Sequence, residues 1–394
     1  MEFSHDEHPT DESGQTALTG FARISRLMVA PAAGLTALFC IGWIQGDASW
    51  MATGLSGAFC CLGLAAGGIP VLRRWAFTIW ILAAVAVGMC WPTLFLRYGT
   101  FEYTTLFVPI LQVIMFCMGT TLSIDDFARM ARMPQGIGLG LLCQFTIMPL
   151  VGCSLAYSFG LPPEIGAGIV LVGSSPGGLA SNVMAFIAKA DVAMSVTMTA
   201  VATLAAPLLT PLLMKLLAGQ LISIDAWAMM WNMTKMVLLP IIGGVIFHHT
   251  IYHRFRRLDR VMPFLSMLGI IAMTVLTVAR GRDNLFETGL LLMLVCFLHT
   301  TAGLVLGYLV CTLFRLDPNS RRTIAFEVGM QNSGMAAAIA GTLQKVATLG
   351  LAPIVFGPIM NTTASFLANY WRNHPTMEAE PHEDQCTPTF SSET

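Results

Sequence analysis

Two short stretches carry most of the polar chemistry of an otherwise apolar chain. Phe326–Met335 (FEVGMQNSGM) sets Glu327, Gln331 and Asn332 inside an apolar segment that also holds Gly329 and Gly334. Upstream, Gly173–Asn182 (GSSPGGLASN) places Ser174, Ser175, Ser181 and Asn182 around Pro176, with Ser195, Thr197 and Thr199 in the following segment. Ser195 and Thr199 are four apart, as are Glu327 and Gln331, so each pair shares one helix face. These side chains offer neutral or anionic oxygen without a histidine or cysteine cluster, which favours a hard cation over zinc, copper or haem iron.

Glu327 most needs a partner. A carboxylate at bilayer depth is costly alone, and Arg321 and Arg322 fall toward the membrane surface. A bound monovalent cation would neutralise it; a proton carried on the carboxyl is the competing answer. Other polar residues have blander explanations. A lone Ser or Thr in a membrane helix commonly bonds the carbonyl four residues back, so Ser195 and Thr199 read either way. Lys235 is placed to snorkel. Lys189 and Asp191 mark a connection, and His248, His249 and His253 precede Arg254, Arg256 and Arg257 in a basic, membrane-adjacent loop. No nucleophile and base can be assembled, so no catalytic residue and no enzyme activity is assigned.

The elements that must position these residues are membrane helices. The 394-residue chain is 55% hydrophobic and 11% charged, against about 25% charged in soluble domains. Apolar segments fall at 27–44, 52–72, 75–96, 104–121, 136–158, 163–188, 192–217, 227–249, 261–279, 286–314, 322–342 and 346–370. This is an all-α polytopic membrane protein, without the ten-residue alternation of an outer-membrane barrel. No long basic tract is present, so nucleic acid is not an expected partner, and no obligate protein partner is implied. Residues 1–22 and 373–394 read as acidic, disordered tails; the first lacks the basic start of a signal peptide. Nine of the ten cysteines lie in apolar segments and Cys386 in the tail, with no CxxC, so they read as small buried hydrophobes.

Charge placement suggests the orientation. With both termini in the cytoplasm, fifteen of the 21 Lys and Arg fall on inside segments and five outside (Arg97, Lys215, Arg280, Arg282, Lys345), with Lys235 within a segment. That bias predicts an inner-membrane protein with an even number of spans. Segments 23–72 stand apart as an N-terminal extension of up to two helices, re-entrant, interfacial or spanning. The rest divides into 75–217 and 227–370, and Ser175 and Glu327 each stand 100 residues past the start of their half. Two five-segment halves must enter the membrane from opposite sides, so the arrangement predicted is a pair of inverted five-helix repeats, each with a discontinuous helix. Pro176, Gly177 and Gly178 explain the first break, by a lost donor and a backbone free to unwind; Gly329 and Gly334 are expected to do the same in the second.

These features together resemble the bile acid:sodium symporter (BASS) family, including its bacterial members. The resemblance rests on 118–127 (MGTTLSIDDF), Gln144 in LCQFTIMPL, 167–184 (AGIVLVGSSPGGLASNVM), 203–215 (TLAAPLLTPLLMK), 235–240 (KMVLLP) and 327–334 (EVGMQNSG), and covers about 75–372. It implies a panel and a core domain, with the broken helices crossing in the core. Two sodium ions are implied: one on Ser181, Asn182, Ser195, Thr199 and Glu327, the other on Gln144, Glu327, Gln331 and the carbonyls of Val328 and Met330. Asn332 and Asn361 would face an organic anion, either a bile salt or a small carboxylate such as pantoate or pyruvate. Met360 stands where bile-acid-transporting relatives tend to have His before Asn361, and Leu179 where they often carry Thr. These losses weaken the expectation of bile acid but leave sodium coupling intact. The implied protein is a symporter working by alternating access among membrane lipids; proton coupling through Glu327 and a non-transporting receptor are the alternatives.

Overall fold

The computed structural model describes residues 27–69, 72, 75–120, 134–251 and 258–374. The expected acidic tails (1–22 and 375–394), residues 121–127 of the MGTTLSIDDF motif, and His253 with its following arginines lie outside them.

Nearly all of the described chain is helical. An antiparallel pair, α1 (Val29–Gln45) and α2 (Ala48–Ala66), precedes α3 (Ala76–Cys90). The pair turns at Gly46, whose φ of 71° suits glycine, and Asp47 caps α2 by accepting from the amides of Ser49 (2.9 Å) and Trp50 (3.3 Å). α2 packs along α3, where the Trp91 indole donates to Ser56 at 3.2 Å. A two-stranded hairpin, β1 (Arg97–Tyr98) and β2 (Phe101–Glu102), leads to α4 (Phe107–Gly119). Then follow α5 (Pro134–Ser158), α6 (Pro163–Gly173), α7 (Leu179–Ile187) and α8 (Val192–Ala218).

α9 (Ala226–Met233) runs through a π-helical turn at Thr234–Leu238 into α10 (Leu239–Ile251). The turn just precedes Pro240, which lacks a donor for the regular ladder. α11 (Leu258–Arg280), α12 (Arg282–Leu313), α13 (Pro318–Gly329), α14 (Ser333–Thr342) and α15 (Leu351–Asn373) complete the order. Among the described residues, six helices are long and apolar enough to cross a membrane.

The expected segments 163–188 and 322–342 are each two helices. Pro176 cannot donate, and α6 ends by tightening, the Ser175 amide reaching back to Val172 at 3.1 Å. α14 restarts because Asn332 caps it, its Oδ1 accepting from the Met335 amide at 3.0 Å. The two extended pieces then satisfy each other. The Gly178 amide donates to Met330 (3.1 Å) and the Asn332 amide to Pro176 (2.8 Å), making an antiparallel bridge between Gly177 and Gln331. Non-helical backbone at this depth is tolerated because each break is the other's partner.

The expected role for the glycines needs correction. Gly334 lies within α14, and Gly329 is the last residue of α13, packed where a Cβ would run into Leu304. Among the described glycines only Gly46, Gly99 and Gly160 have positive φ. Gly173, Gly177, Gly178 and Gly329 therefore serve close approach without a positive φ, while a Cβ on Gly334 would meet only ordinary contacts at 3.4 Å and beyond.

Around the crossing, α5 packs on α6, α8, α12 and α13, while α12 packs on α13 and α15. α7 packs on α8 and α13; α14 packs on α15, α4 and α6. On the other side α3 lies against α11, and α4 against both α11 and α10. The α4–α10 contact depends on small residues, since a side chain on Gly119 or Gly244 would strike the other helix's backbone carbonyl. Of the nine described cysteines, all free, Cys117, Cys143, Cys296 and Cys311 are buried as expected; Cys60, Cys61, Cys90 and Cys153 are half-buried, and Cys40 is exposed.

Candidate cation and substrate site

Glu327 reaches the crossing from the last turn of α13 and is 1% exposed. Its Oε1 accepts from Ser181 of α7 (2.5 Å) and from Ser195 of α8 (2.5 Å); Thr199, one turn beyond Ser195, lies 3.1 Å from Oε1 and 2.9 Å from Oε2. Asn182 closes the group, its Oδ1 2.7 Å from Ser195 Oγ and 3.4 Å from Thr199 Oγ1. Ser181 Oγ also lies 2.6 Å from the carbonyl of Gly178. Thr197, on the other face of α8, bonds the carbonyl of Ala193 at 2.9 Å, the ordinary arrangement. Ser195 and Thr199 instead turn to Glu327, so the ambiguity left by their spacing is resolved geometrically.

The protons in this cluster do not match its oxygens. Seven oxygen–oxygen approaches lie between 2.5 and 3.4 Å. Three hydroxyls supply three protons, and protonating Glu327 would add only one more. Thr199 shares its proton among its neighbours, whereas Ser181 Oγ and Ser195 Oγ each lie within 2.7 Å of two acceptor oxygens, so two short approaches set lone pair against lone pair. Such a surplus is what a hard cation among oxygen ligands relieves. Among the described residues no group of three His, Cys, Asp or Glu could hold a metal; neutral oxygens with one carboxylate are the ligand type that hard cations take.

A second polar group lies beside it. Gln144 of α5 is 1% exposed; its Nε2 donates to Gln331 Oε1 (2.7 Å) and to the carbonyl of Ser175 (2.8 Å). Gln331 Nε2 donates to the Val328 carbonyl at 2.6 Å, and the Met330 carbonyl accepts from Gly178. Gln144 Oε1 is buried without a hydrogen-bond partner among the described residues. Leaving such an acceptor bare costs about 1–3 kcal/mol, so this oxygen is available to a further group. The expected residues thus fall into two adjoining groups, with Glu327 in the first and Gln331 in the second.

Asn332 is engaged as the α14 cap, whereas Asn361 of α15 is buried with Oδ1 unpartnered. Residue types did not point to Gly177, although a Cβ there would sit 2.5 Å from Glu327 Oε2. Nor did they point to the Gly178 and Ser175 carbonyls; the SPGG break was the available signal, but it does not say which atoms face the partner helix. Lys235 projects over Trp231, 5.6 Å from the ring centre, and Asp191 caps α8 through the Met194 amide at 2.9 Å. A cavity of about 1300 Å³ between α3, α12 and α15 is lined by side chains such as Leu82, Met89, Leu294 and Phe366. Its wall is nearly all hydrocarbon, so it has no part in holding an ion.

Residues 108–288 match the Sodium Bile acid symporter family. An uncharacterized sodium-dependent transporter of Bacillus subtilis is 39% identical over 295 residues, 75% of this chain and 90% of the relative. The chain belongs to the sodium bile acid symporter family. Two probable chloroplastic sodium/metabolite cotransporters of Oryza sativa subsp. japonica are 32% identical over 305 residues (76% of this chain, 73% of the relative) and 33% over 302 (75% and 70%). As a member of the sodium bile acid symporter family, the protein is a multi-pass, sodium-coupled membrane transporter and not an enzyme.

Proposed function

We propose that this transporter carries a small organic anion together with two sodium ions by alternating access. The observation that carries the reading is the crowding of oxygens around Glu327, where the Ser181 and Ser195 hydroxyls each meet two acceptors within 2.7 Å with one proton apiece. One sodium ion takes Ser181, Asn182, Ser195, Thr199 and Glu327; the other takes Gln144, Glu327, Gln331 and the carbonyls of Val328 and Met330. The unpartnered Gln144 Oε1 supports the second site. Proton coupling fits less well, because a proton on Glu327 relieves the short approach at Ser181 or at Ser195 but not both.

Exchanging the two halves turns one set of helix contacts into the other, which supports inverted repeats. α3 on α11 becomes α10 on α4, α8 on α13 becomes α15 on α6, and α7 on α8 becomes α14 on α15. The two breaks bridge each other at the centre of that exchange. The α1–α2 hairpin is then an addition outside the repeats. Its helices, at about 1.5 Å per residue, are close to the length a bilayer core requires. With both termini cytoplasmic in the inner membrane, α6 begins and α14 ends on the outer side.

Sodium at the crossing holds the extended segments in place. α7 and α14 both begin there, and helix N-termini favour an anion. The substrate carboxylate binds at those ends beside Asn332 and Asn361. The unpartnered Asn361 Oδ1 is suited to a substrate hydroxyl, as in pantoate. Two sodium ions with one monovalent anion move one net charge, worth about 2.3 kcal/mol per 100 mV. The test is uptake into proteoliposomes of pantoate, pyruvate and a bile salt under a Na+ gradient. Accumulation driven by Na+ and absent in K+ is expected; equal uptake in both overturns the coupling.

A further inference from the structure

A second polar cavity, of about 320 Å³, lies at the face where α6 begins and α14 ends. Thr104 ahead of α4, Glu164 of α6, Arg280 at the end of α11, and Gln344, Lys345 and Thr348 of the α14–α15 connection line it. The connection is held in shape by left-handed Gln344 (φ 57°) and by Asn284 Nδ2 donating to the Ala347 carbonyl at 2.8 Å. Lys345 pairs with Glu164, whose other oxygen accepts from Thr348 at 2.5 Å. Arg280 is exposed and makes no ion pair within 4.0 Å among the described residues. Its position at a helix C-terminus suits a cation.

None of the neighbouring carboxylates lies within 4.0 Å of Arg280 among the described residues. Glu102, 3.3 Å from Thr104 Oγ1, stands opposite Arg97 in the hairpin, and Asp283 is 3.9 Å from Arg282. The lining therefore holds two cations, one carboxylate, two threonine hydroxyls and an amide. A guanidinium fork and an ammonium are the usual carboxylate binders, and the volume is at the small end of ligand pockets.

We propose that this cavity is an encounter site for the transported anion, and that it takes a small carboxylate between Arg280 and Lys345. This inference rests on the anion-transport reading. The incoming carboxylate displaces Glu164 from Lys345 and takes the free fork of Arg280. Cations at a mouth raise the local anion concentration and the rate of entry, an effect screened by salt.

Right-side-out vesicles from cells expressing the full chain test it, with pyruvate and pantoate as probes and Na+ saturating. Arg280→Gln and Lys345→Gln should raise KM for externally applied anion about five- to tenfold with Vmax within twofold, and added choline chloride should narrow the gap. Arg280→Lys should keep most of the affinity, and Arg282→Gln, outside the lining, should match the wild type. KM within twofold of wild type in both glutamine variants would overturn the site. So would lost Vmax at unchanged KM, which would leave the Glu164 contacts as a structural tie only. If wild-type vesicles accumulate neither probe under a Na+ gradient, the anion reading falls and this inference with it; transport by the wild type with indifferent variants removes the inference alone.

Discussion

Gly177 and Glu327 face each other across the crossing so closely that a Cβ on Gly177 would stand 2.5 Å from Oε2 of Glu327. The carboxylate cannot easily turn away, because Ser181, Ser195 and Thr199 hold it from the other side. Gly177→Ala should therefore displace Glu327 without unfolding the protein. The expected result is at least a tenfold rise in the Na+ concentration for half-maximal uptake, with near-normal melting in K+. An unchanged Na+ titration would show that the close approach has no bearing on the ion.

Charge and shape at the same residue can be separated. Glu327→Gln keeps the size of the side chain and removes its charge. Na+-driven uptake should be lost, and so should the stabilisation that an ion bound only by the folded state confers. Ser195→Ala removes one neutral oxygen of the proposed site and should cost about 1–2 kcal/mol of binding, roughly five- to thirtyfold in Na+ affinity. Melting temperatures in NaCl against KCl check both. A Na+-dependent shift persisting in Glu327→Gln would refute the assignment.

What could be read from the chain alone follows the physics of membranes. Burying a carboxylate is expensive, so Glu327 stood out without any structure, and Pro176 announced a broken helix because a missing donor does so wherever it occurs. Gln144 did not announce itself: in LLCQFTIM it is one amide in an apolar run, and only the resemblance to a family singled it out. Its importance comes from the Ser175 carbonyl and Gln331, far away in sequence. The glycines were half legible for a related reason. Gly177 and Gly178 do lie in the extended break that Pro176 announces, but the close approach at Gly177 and Gly329 comes from the nearness of another helix, which no local pattern encodes.

The α4–α10 contact gives a test of packing away from the ions. Gly119 and Gly244 place each helix against the other's backbone, Gly119 by Ile241 and Gly244 by Phe116. Backbone cannot move aside as a side-chain tip can, so Gly119→Val or Gly244→Val should cost about 1–3 kcal/mol. Melting of the detergent-solubilised protein should fall in both variants. A Gly138→Ala control, where a Cβ meets nothing within 4 Å, should leave it unchanged.

Asp317 offers a pH-dependent term outside the spanning segments. It caps α13, accepting from the Ser320 amide at 2.9 Å. Partial burial pushes its carboxyl up, but hydrogen bonds from Ser320, with further backbone amides, outweigh this and hold it below the usual aspartate range. A carboxyl depressed in the folded state stabilises above its unfolded value, near 4, and loses that contribution as the pH falls through the folded value. Asp317→Ala should therefore be about 1 kcal/mol less stable than the wild type at pH 7. The gap should close as the pH drops below about 4. Denaturation in detergent from pH 7 to pH 3 measures this, and a gap that widened on acidification would mean that Asp317 does not act as a charged cap.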